Sequence, residues 1–217
     1  MRALSSADAA SGRRAAAGSA DAVILLLHGY GSSEHDLPGV IPALGLDLPW
    51  ASLRAPVELP NGGAAWFEIT TPGDPAPGPV NEATGAVWTW VDEHLDAATS
   101  VVPLGFSQGG LMATQLLRTR PERVLAPVVL GGFVGSAPQP ADDDLARSRP
   151  AVFWGRGADD MVIAATAVAR TAAWLSLHSS LDEHVYAGLG HGVSAEEIAD
   201  VAAFLAGQTG ARSTTRS

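Results

Sequence analysis

The sequence predicts an α/β fold, a mostly parallel, doubly wound sheet flanked by helices, and three observations predict it. Short continuous apolar runs, beginning with Ala22–Leu27 (AVILLL), suit strands buried on both faces, as in a parallel sheet. These runs alternate with segments whose apolar residues recur at helical intervals. The residues best equipped for chemistry stand just after the runs, where the carboxyl ends of parallel strands gather and ligands bind in such sheets.

Taken in order, Ala22–Leu27 is the first buried strand and residues 50–55 form a second. Residues 56–79 are rich in Gly and Pro and read as a long loop. Val80, Ala83, Val87, Trp90, Val91 and Leu95 mark a helix over 80–98. A strand over 101–106 precedes a helix over 108–119. Residues 124–131 read as a strand and 132–149 as a loop, with Asp142-Asp143-Asp144 as a solvated acidic stretch. A strand over 151–155, a helix over 163–178, a strand over 182–187 and a helix over 194–205 complete the pattern. Ser194 and Glu197 form S-x-x-E, the capping-box spacing, at the start of that last helix.

A chain of 217 residues, 47% hydrophobic and 17% charged, suits one domain with a sizeable core. Residues 22–206 are assigned to it, after a flexible arm over 1–21 and before a disordered polar tail over 207–217. Arg13-Arg14 precedes an apolar run too short for a secretory segment, and no stretch approaches a membrane span. A cytoplasmic protein without stable membrane anchoring is expected. There is no cysteine, which excludes disulfides, thiolate metal sites and a cysteine nucleophile. There is no lysine either, since all 13 basic residues are arginine, which excludes a Schiff-base enzyme and a P-loop NTPase. A formal charge of −10 argues against a nucleic-acid partner. The histidines offer no convincing metal site: His178 and His184 lack supporting ligands at useful spacing.

Gly105-Phe106-Ser107-Gln108-Gly109 is G-x-S-x-G between a buried strand and a helix, where a nucleophile elbow belongs. A sharp turn there strains the serine backbone, and small residues two before and two after let strand and helix approach. A serine needs a base. His191, in Gly188-Leu189-Gly190-His191-Gly192 after the last strand, is the candidate, its small flanks giving the imidazole room. His94, His178 and His184 fall within elements, His35 stands on a loop or helix start, and His28 ends the first strand and shapes the backbone there. The base needs an orienting acid, and Asp159-Asp160 follows a strand, one of the two being able to face His191. Backbone N–H groups of Gln108, after the serine, and Tyr30, in His28-Gly29-Tyr30-Gly31, are placed to form an oxyanion hole.

With these motifs together, the chain resembles the phospholipase/carboxylesterase group of α/β-hydrolases, which includes acyl-protein thioesterases and bacterial carboxylesterases. The resemblance is carried by LLLHGYGSSEHDL at 25–37, RAPVELPNGGAAWFEI at 54–69, LGFSQGGLMA at 104–113, VFWGRGADDMVI at 152–163 and GLGHGVSAEEIADVAAFL at 188–205. It implies an α/β-hydrolase fold, a Ser107 nucleophile, a His191 base, an oxyanion hole from Tyr30 and Gln108, and no cofactor or metal. The family's acid precedes one variable residue and Val-Ile, which selects Asp160. Two departures stand out. Ala164 replaces the family's usual proline, and the residues before Ala22 are too short or too polar for its two leading antiparallel strands, which predicts either a trimmed sheet edge or a misassigned start codon.

Fewer than about 25 residues join the 124–131 strand to the acid turn, a connection rather than a cap domain, so an open site is expected. Leu59, Trp66 and Phe67 are candidates for a substrate-binding wall, with Trp66 and Phe67 equally suited to anchoring the long loop in the core. Arg54 and Arg156 are the cations near the motifs. The expected substrate is therefore a small neutral ester or thioester with a small or medium acyl chain. The alternatives are an acyl-protein thioesterase or lysophospholipase with lipid-like substrates, or a non-catalytic ligand-binding protein on the same fold. A homodimer is compatible with the family, but no apolar stripe offers an interface.

Overall fold

The computed structural model describes residues 1–5 and 22–209. A seven-stranded sheet runs through the molecule in the order β1-β3-β2-β6-β7-β8-β9, from β1 (Ala3–Ser5), β2 (Ala22–Leu27), β3 (Trp50–Leu53), β6 (Ser100–Phe106), β7 (Val128–Leu130), β8 (Ala151–Gly157) and β9 (Ser180–Tyr186). All neighbouring pairs are parallel except β1–β3. A two-stranded antiparallel ladder, β4 (Val57–Glu58) with β5 (Ala64–Ala65), lies apart from it. The helices are α1 (Ile41–Leu44), α2 (Pro77–His94), α3 (Gln108–Thr119), α4 (Asp142–Ser148), α5 (Ala165–His178) and α6 (Ala195–Thr209).

Strand alternation divides the core in two. Val23, Leu25 and Leu27 face a cluster with Leu53, Trp88, Leu111, Met112, Leu116 and Trp154. Ala22, Ile24 and Leu26 face the other, with Leu44, Leu104, Val128, Phe153, Ile198, Val201 and Leu205. The apolar runs in the sequence are continuous because each central strand fills both clusters. From β2 the chain moves to β3 on one side and returns to β6 on the other. The carboxyl ends of β2 and β6 thus flank the switch point where a doubly wound sheet opens a crevice.

Several expected elements shift, each for a local reason. The strand expected over 50–55 stops at Leu53, because the Ala55 N–H turns to His28 Nε2 at 3.1 Å. The strand expected over 124–131 contracts to Val128–Leu130: Ala126 has φ 48°, which interrupts the extended chain, and Val124 makes only an isolated bridge to Val101. The loop expected over 56–79 holds the β4–β5 ladder, and α2 begins early because Pro77 suits a helix's first turn. The acidic stretch expected in a loop over 132–149 opens α4, where three aspartates favour the helix's positive end. Asp142 accepts two N–H bonds, at 2.8 and 2.7 Å, from the buried Arg118. Arg118 also bonds the carbonyls of Gly135 and Ala137, so the connection wraps around one guanidinium.

The arm expected over 1–21 contributes β1, which pairs antiparallel with β3, so the edge keeps a short leading strand. Residues 6–21 lie outside the described residues. At the other end α6 runs through Thr209, so the part of the expected tail over 210–217 lies outside the described residues.

Glu197 caps α6 by half: its N–H bonds Ser194 Oγ at 3.0 Å, but its carboxyl does not reach back. Instead the side chain is fully buried against β8, where a Cβ on Gly155 would lie 2.2 Å from Oε1, and neither carboxyl oxygen has a partner. Burial pushes this carboxyl up from 4.5 to about 7, with the nearby Ser194 N–H opposing the rise, Asp200 adding to it and His184 opposing it. The folded state therefore holds a proton the unfolded chain releases, and stability falls as pH rises from about 4.5 to about 7. Glu197→Gln is expected to leave stability unchanged near pH 4 and to raise it by about 3 kcal/mol at pH 8. Denaturant unfolding across that range measures the difference, and a gain independent of pH would refute the buried, protonated carboxyl.

Candidate active site

Ser107 follows β6 and precedes α3 with φ 56° and ψ −114°, a strained conformation for a residue with a side chain. Close backbone packing imposes it. A Cβ on Gly105 would lie 2.0 Å from the Gly109 carbonyl oxygen, and one on Gly109 would lie 1.8 Å from the Leu27 carbonyl oxygen. No residue but glycine fits either place. The Ser107 N–H donates to Leu130 O at 2.8 Å, tying the turn to β7.

His191 meets that serine from the loop after β9. Its Nε2 lies 2.9 Å from Ser107 Oγ and its Nδ1 lies 2.7 Å from Asp160 Oδ2. A carboxylate only accepts, so Nδ1 carries the proton and Nε2 is bare toward the hydroxyl. The ring packs at 4.9 Å from Phe106. The glycines beside it are not sterically required, contrary to the sequence expectation: a Cβ on Gly192 meets nothing within 4 Å, and one on Gly190 meets only Asp159 O at 3.9 Å. The positive φ of that loop is at Gly188, 76°.

Of the two aspartates, Asp160 faces His191, while Asp159 is exposed and its N–H donates to Leu189 O at 3.0 Å. Asp160 Oδ1 accepts the N–H groups of Val162, at 2.8 Å, and Ile163, at 3.1 Å, so one carboxylate holds both the imidazole and its own turn. Burial opposes ionisation, but the bonds from His191 and the two amides outweigh it and hold this carboxyl below its ordinary range.

His28 shapes the backbone after the first strand, as the sequence suggests, and the Gln108 side chain plays a role the motifs do not reveal. His28 is fully buried, donates from Nδ1 to Gly29 O at 2.7 Å and accepts the Ala55 N–H at Nε2. Burial lowers its pKa, which fits the neutral ring these partners demand. The Gly29 carbonyl also accepts the Ser32 N–H at 3.3 Å. In a trans peptide the N–H opposes the carbonyl, so this pull turns the Tyr30 N–H the other way. The Gln108 N–H begins α3, where no preceding turn can bond it. The Gln108 side chain accepts the Trp66 N–H at 2.8 Å and donates to Phe67 O at 2.7 Å. It clamps the long loop to the serine turn across 42 residues of chain.

That clamp decides the place of the wall candidates. Trp66 and Phe67 are 1% and 2% exposed and belong to the core, so they anchor the loop rather than stand as an open wall. Their remaining faces line a cavity of about 380 Å³ with Pro56, Val57 and Ala83. Ser107, Asp160, His191 and Tyr30 are not among its lining residues. Leu59 is half-buried on the β4–β5 turn, where its N–H bonds Gly63 O at 2.8 Å. Neither arginine near the motifs is free. Arg54 bonds Glu34, Glu58 and the Gly62 carbonyl, and Arg156 lies over Trp154 with a contact to Glu183.

A mostly parallel sheet with a strained strand–serine–helix turn at its switch point defines an α/β-hydrolase. The chain belongs to the phospholipase/carboxylesterase family of ester hydrolases, whose model matches residues 14–208. No curated protein sequence matches it. Among solved structures it is similar to a carboxylesterase from Mesorhizobium loti, with 21% identity and a TM-score of 0.72 over 89% of this chain and 92% of that one. The Bacillus cereus carboxylesterase gives 21% and 0.71 over 84% and 86%. SOBER1 of Arabidopsis thaliana gives 22% and 0.69 over 85% and 97%. At these identities the likeness is one of fold. Among the described residues no helix is long and apolar enough to cross a membrane.

The glycines around the serine and the histidine are of two kinds. Gly109→Ala is expected to cost at least about 4 kcal/mol and to leave no folded protein, whereas Gly192→Ala changes stability by less than about 0.5 kcal/mol. Circular dichroism and thermal melting of the two variants test this, and a folded Gly109→Ala protein with wild-type melting would overturn it.

Proposed function

We propose that the protein hydrolyses neutral carboxylic esters of small or medium acyl chains through a serine nucleophile and an acyl-enzyme. The observation that carries the reading is the unbroken relay from Ser107 Oγ through His191 to Asp160, with bonds of 2.9 and 2.7 Å, built on a serine held at φ 56°.

In this reading Ser107 Oγ attacks the acyl carbon as its proton passes to His191 Nε2. The carbonyl oxygen becomes an oxyanion and is received by the N–H groups of Tyr30 and Gln108, with the positive end of α3 behind them. Imidazolium, steadied by Asp160, then protonates the departing alcohol. Water repeats the sequence on the acyl-enzyme and releases the acid. Nothing in these steps calls for a cofactor. Residues 131–150 between β7 and β8 contain only the short α4, which supports an open site without a cap domain over residues 22–206. The engagement of Arg54 and Arg156 with protein acids supports a neutral rather than phosphorylated substrate.

Hydrolysis of a p-nitrophenyl ester series tests the reading. Ser107→Ala is expected to lower kcat by on the order of 10³-fold or more. Asp160→Asn, which lets His191 take the wrong tautomer, is expected to lower it by roughly 10⁴-fold. A folded Ser107→Ala protein as active as the wild type would end this reading. A protonated base cannot take the serine's proton, so kcat/KM is expected to fall in acid, and Asp160, held below its ordinary range, is not the group responsible. A flat pH profile with chemistry limiting would exclude His191 as the base.

A further inference from the structure

The cavity beside the long loop takes no part in the relay, since Ser107, Asp160, His191 and Tyr30 do not line it. Its volume of about 380 Å³ is on the scale of small-molecule sites. One wall is a face of α2: Glu82, Ala83 and Ala86 follow Pro79 at helical spacing, and all four line the space. The side chains of Ala83 and Ala86 end at Cβ, so the helix leaves the space open. Trp66 and Phe67 form a buried floor, and Val57 lies beside them. These walls are fixed in advance. Gln108 bonds the Trp66 N–H at 2.8 Å and Phe67 O at 2.7 Å, and Val57 pairs with Ala65 in the β4–β5 ladder. A ligand entering a preformed space has little chain to order, which favours binding.

The charge of the lining is of one sign. Apart from Thr70, its polar side chains are the carboxylates of Glu68 and Glu82. Both residues are exposed, and neither carboxylate has a hydrogen-bond or ion-pair partner among the described residues. The chain has no lysine, and Arg54, Arg118, Arg120, Arg123 and Arg156 are engaged by other acids. A cation for Glu68 and Glu82 must therefore come with the ligand. The walls ask for hydrocarbon at the same time. A bare metal ion would leave them uncovered, and an anionic ligand would meet two like charges. We propose that this cavity binds an organic ammonium ion, with its apolar group against Ala83 and Ala86 of α2 and its positive charge at Glu68 and Glu82. The site is separate from the relay, and it requires neither Ser107 nor ester turnover.

An NMR titration of the full chain with benzyltrimethylammonium chloride at low salt tests the site. The amide shifts are expected to move around residues 66–70 and 79–86, with a Kd of about 1 mM or tighter. Benzyl alcohol, which lacks the charge, and tetramethylammonium, which lacks the ring, are each expected to bind at least about fivefold more weakly. Two variants locate the contacts, with melting temperatures to establish that they are folded. Glu68→Gln with Glu82→Gln keeps the shape and removes the charge, and is expected to weaken binding by about fivefold or more. That loss is expected to shrink in about 0.5 M salt. Ala86→Phe fills the space and is expected to abolish binding. Should Ala86→Phe not fold, the double glutamine variant on the surface carries the test alone. Unaltered binding in either folded variant overturns the site, as do shifts centred on the serine turn, benzyl alcohol binding as tightly as the cation, or no shift in the wild type at about 10 mM ligand, tenfold above the expected Kd. None of these outcomes bears on the ester-hydrolase reading, which the Ser107→Ala comparison tests by itself.

Discussion

The contact on which the site depends is a close approach of two backbones. Gly109, in the first turn of α3, lies against the carbonyl of Leu27 at the end of β2, so close that a methyl group would sit 1.8 Å from the oxygen. That approach brings the amino end of α3 down onto the switch point of the sheet. With Gly105 pressed against the carbonyl of Gly109, the chain between them has only a short, sharp path, and Ser107 takes the strained φ of 56°. Such strain costs on the order of 1–3 kcal/mol and persists only where the surroundings over-determine it. Here they do: the Ser107 N–H is held by Leu130, and its carbonyl receives the N–H groups of Gly110 and Leu111. Were α3 to stand off by the width of a methyl group, the serine could relax, and Gln108 would lose its reach to Trp66 and Phe67.

Three buried or half-buried polar side chains turn this scaffold into a site, and each works by bonding in two directions. His28 joins the end of β2 to Ala55 and turns the Gly29–Tyr30 peptide. Gln108 joins the serine turn to the loop that carries Trp66 and Phe67. Asp160 joins His191 to its own turn. A buried polar group costs stability unless its partners are present, and each of these groups finds at least one partner far away in sequence: Ala55 for His28, Trp66 and Phe67 for Gln108, and His191 for Asp160. The positions of Ser107, Tyr30 and His191 therefore do not rest on single loops. They are coupled through bonds that form only when β2, β6 and β8 are assembled in the right order.

The same distinction explains what could be read from the sequence. Apolar runs and glycine spacing are local and period-bound, so the central strands, the span of α3 and the serine turn were legible, as was the aspartate that faces His191 once the motif after it was matched. Three features were not. The strand before Gly131 is broken by Ala126 in a left-handed conformation that no composition rule assigns to alanine. Helix α4 was invisible because only Leu145 of its residues is buried, leaving no periodic face; its partner is Arg118, a contact between distant segments. The role of Trp66 and Phe67 was ambiguous, since an aromatic pair on a long loop reads alike as a wall or an anchor. Both side chains are buried in the core and Gln108 bonds their backbones, and no spacing pattern announces a bond across 42 residues.

Charge completes the picture. Every arginine among the described residues makes a hydrogen bond or ion pair with protein groups: Arg2 and Arg54 with Glu34, Arg118 with Asp142, Arg120 and Arg123 with Asp92, Arg147 with Asp144, Arg149 with two carbonyls, Arg156 with Glu183 and Arg170 with Val134 O. The cations are spent on structure, while the chain as a whole carries −10. The field this leaves is felt mainly within a Debye length of about 8 Å at physiological salt. It does not act on a neutral ester as it acts on the product. In the proposed hydrolysis that ester becomes a carboxylate, and with every arginine among the described residues already engaged by protein groups, the negative field of the chain repels it. If the protein acts as proposed, the arginine-only, acid-rich composition thus favours a neutral substrate on entry and repels the anionic product on exit.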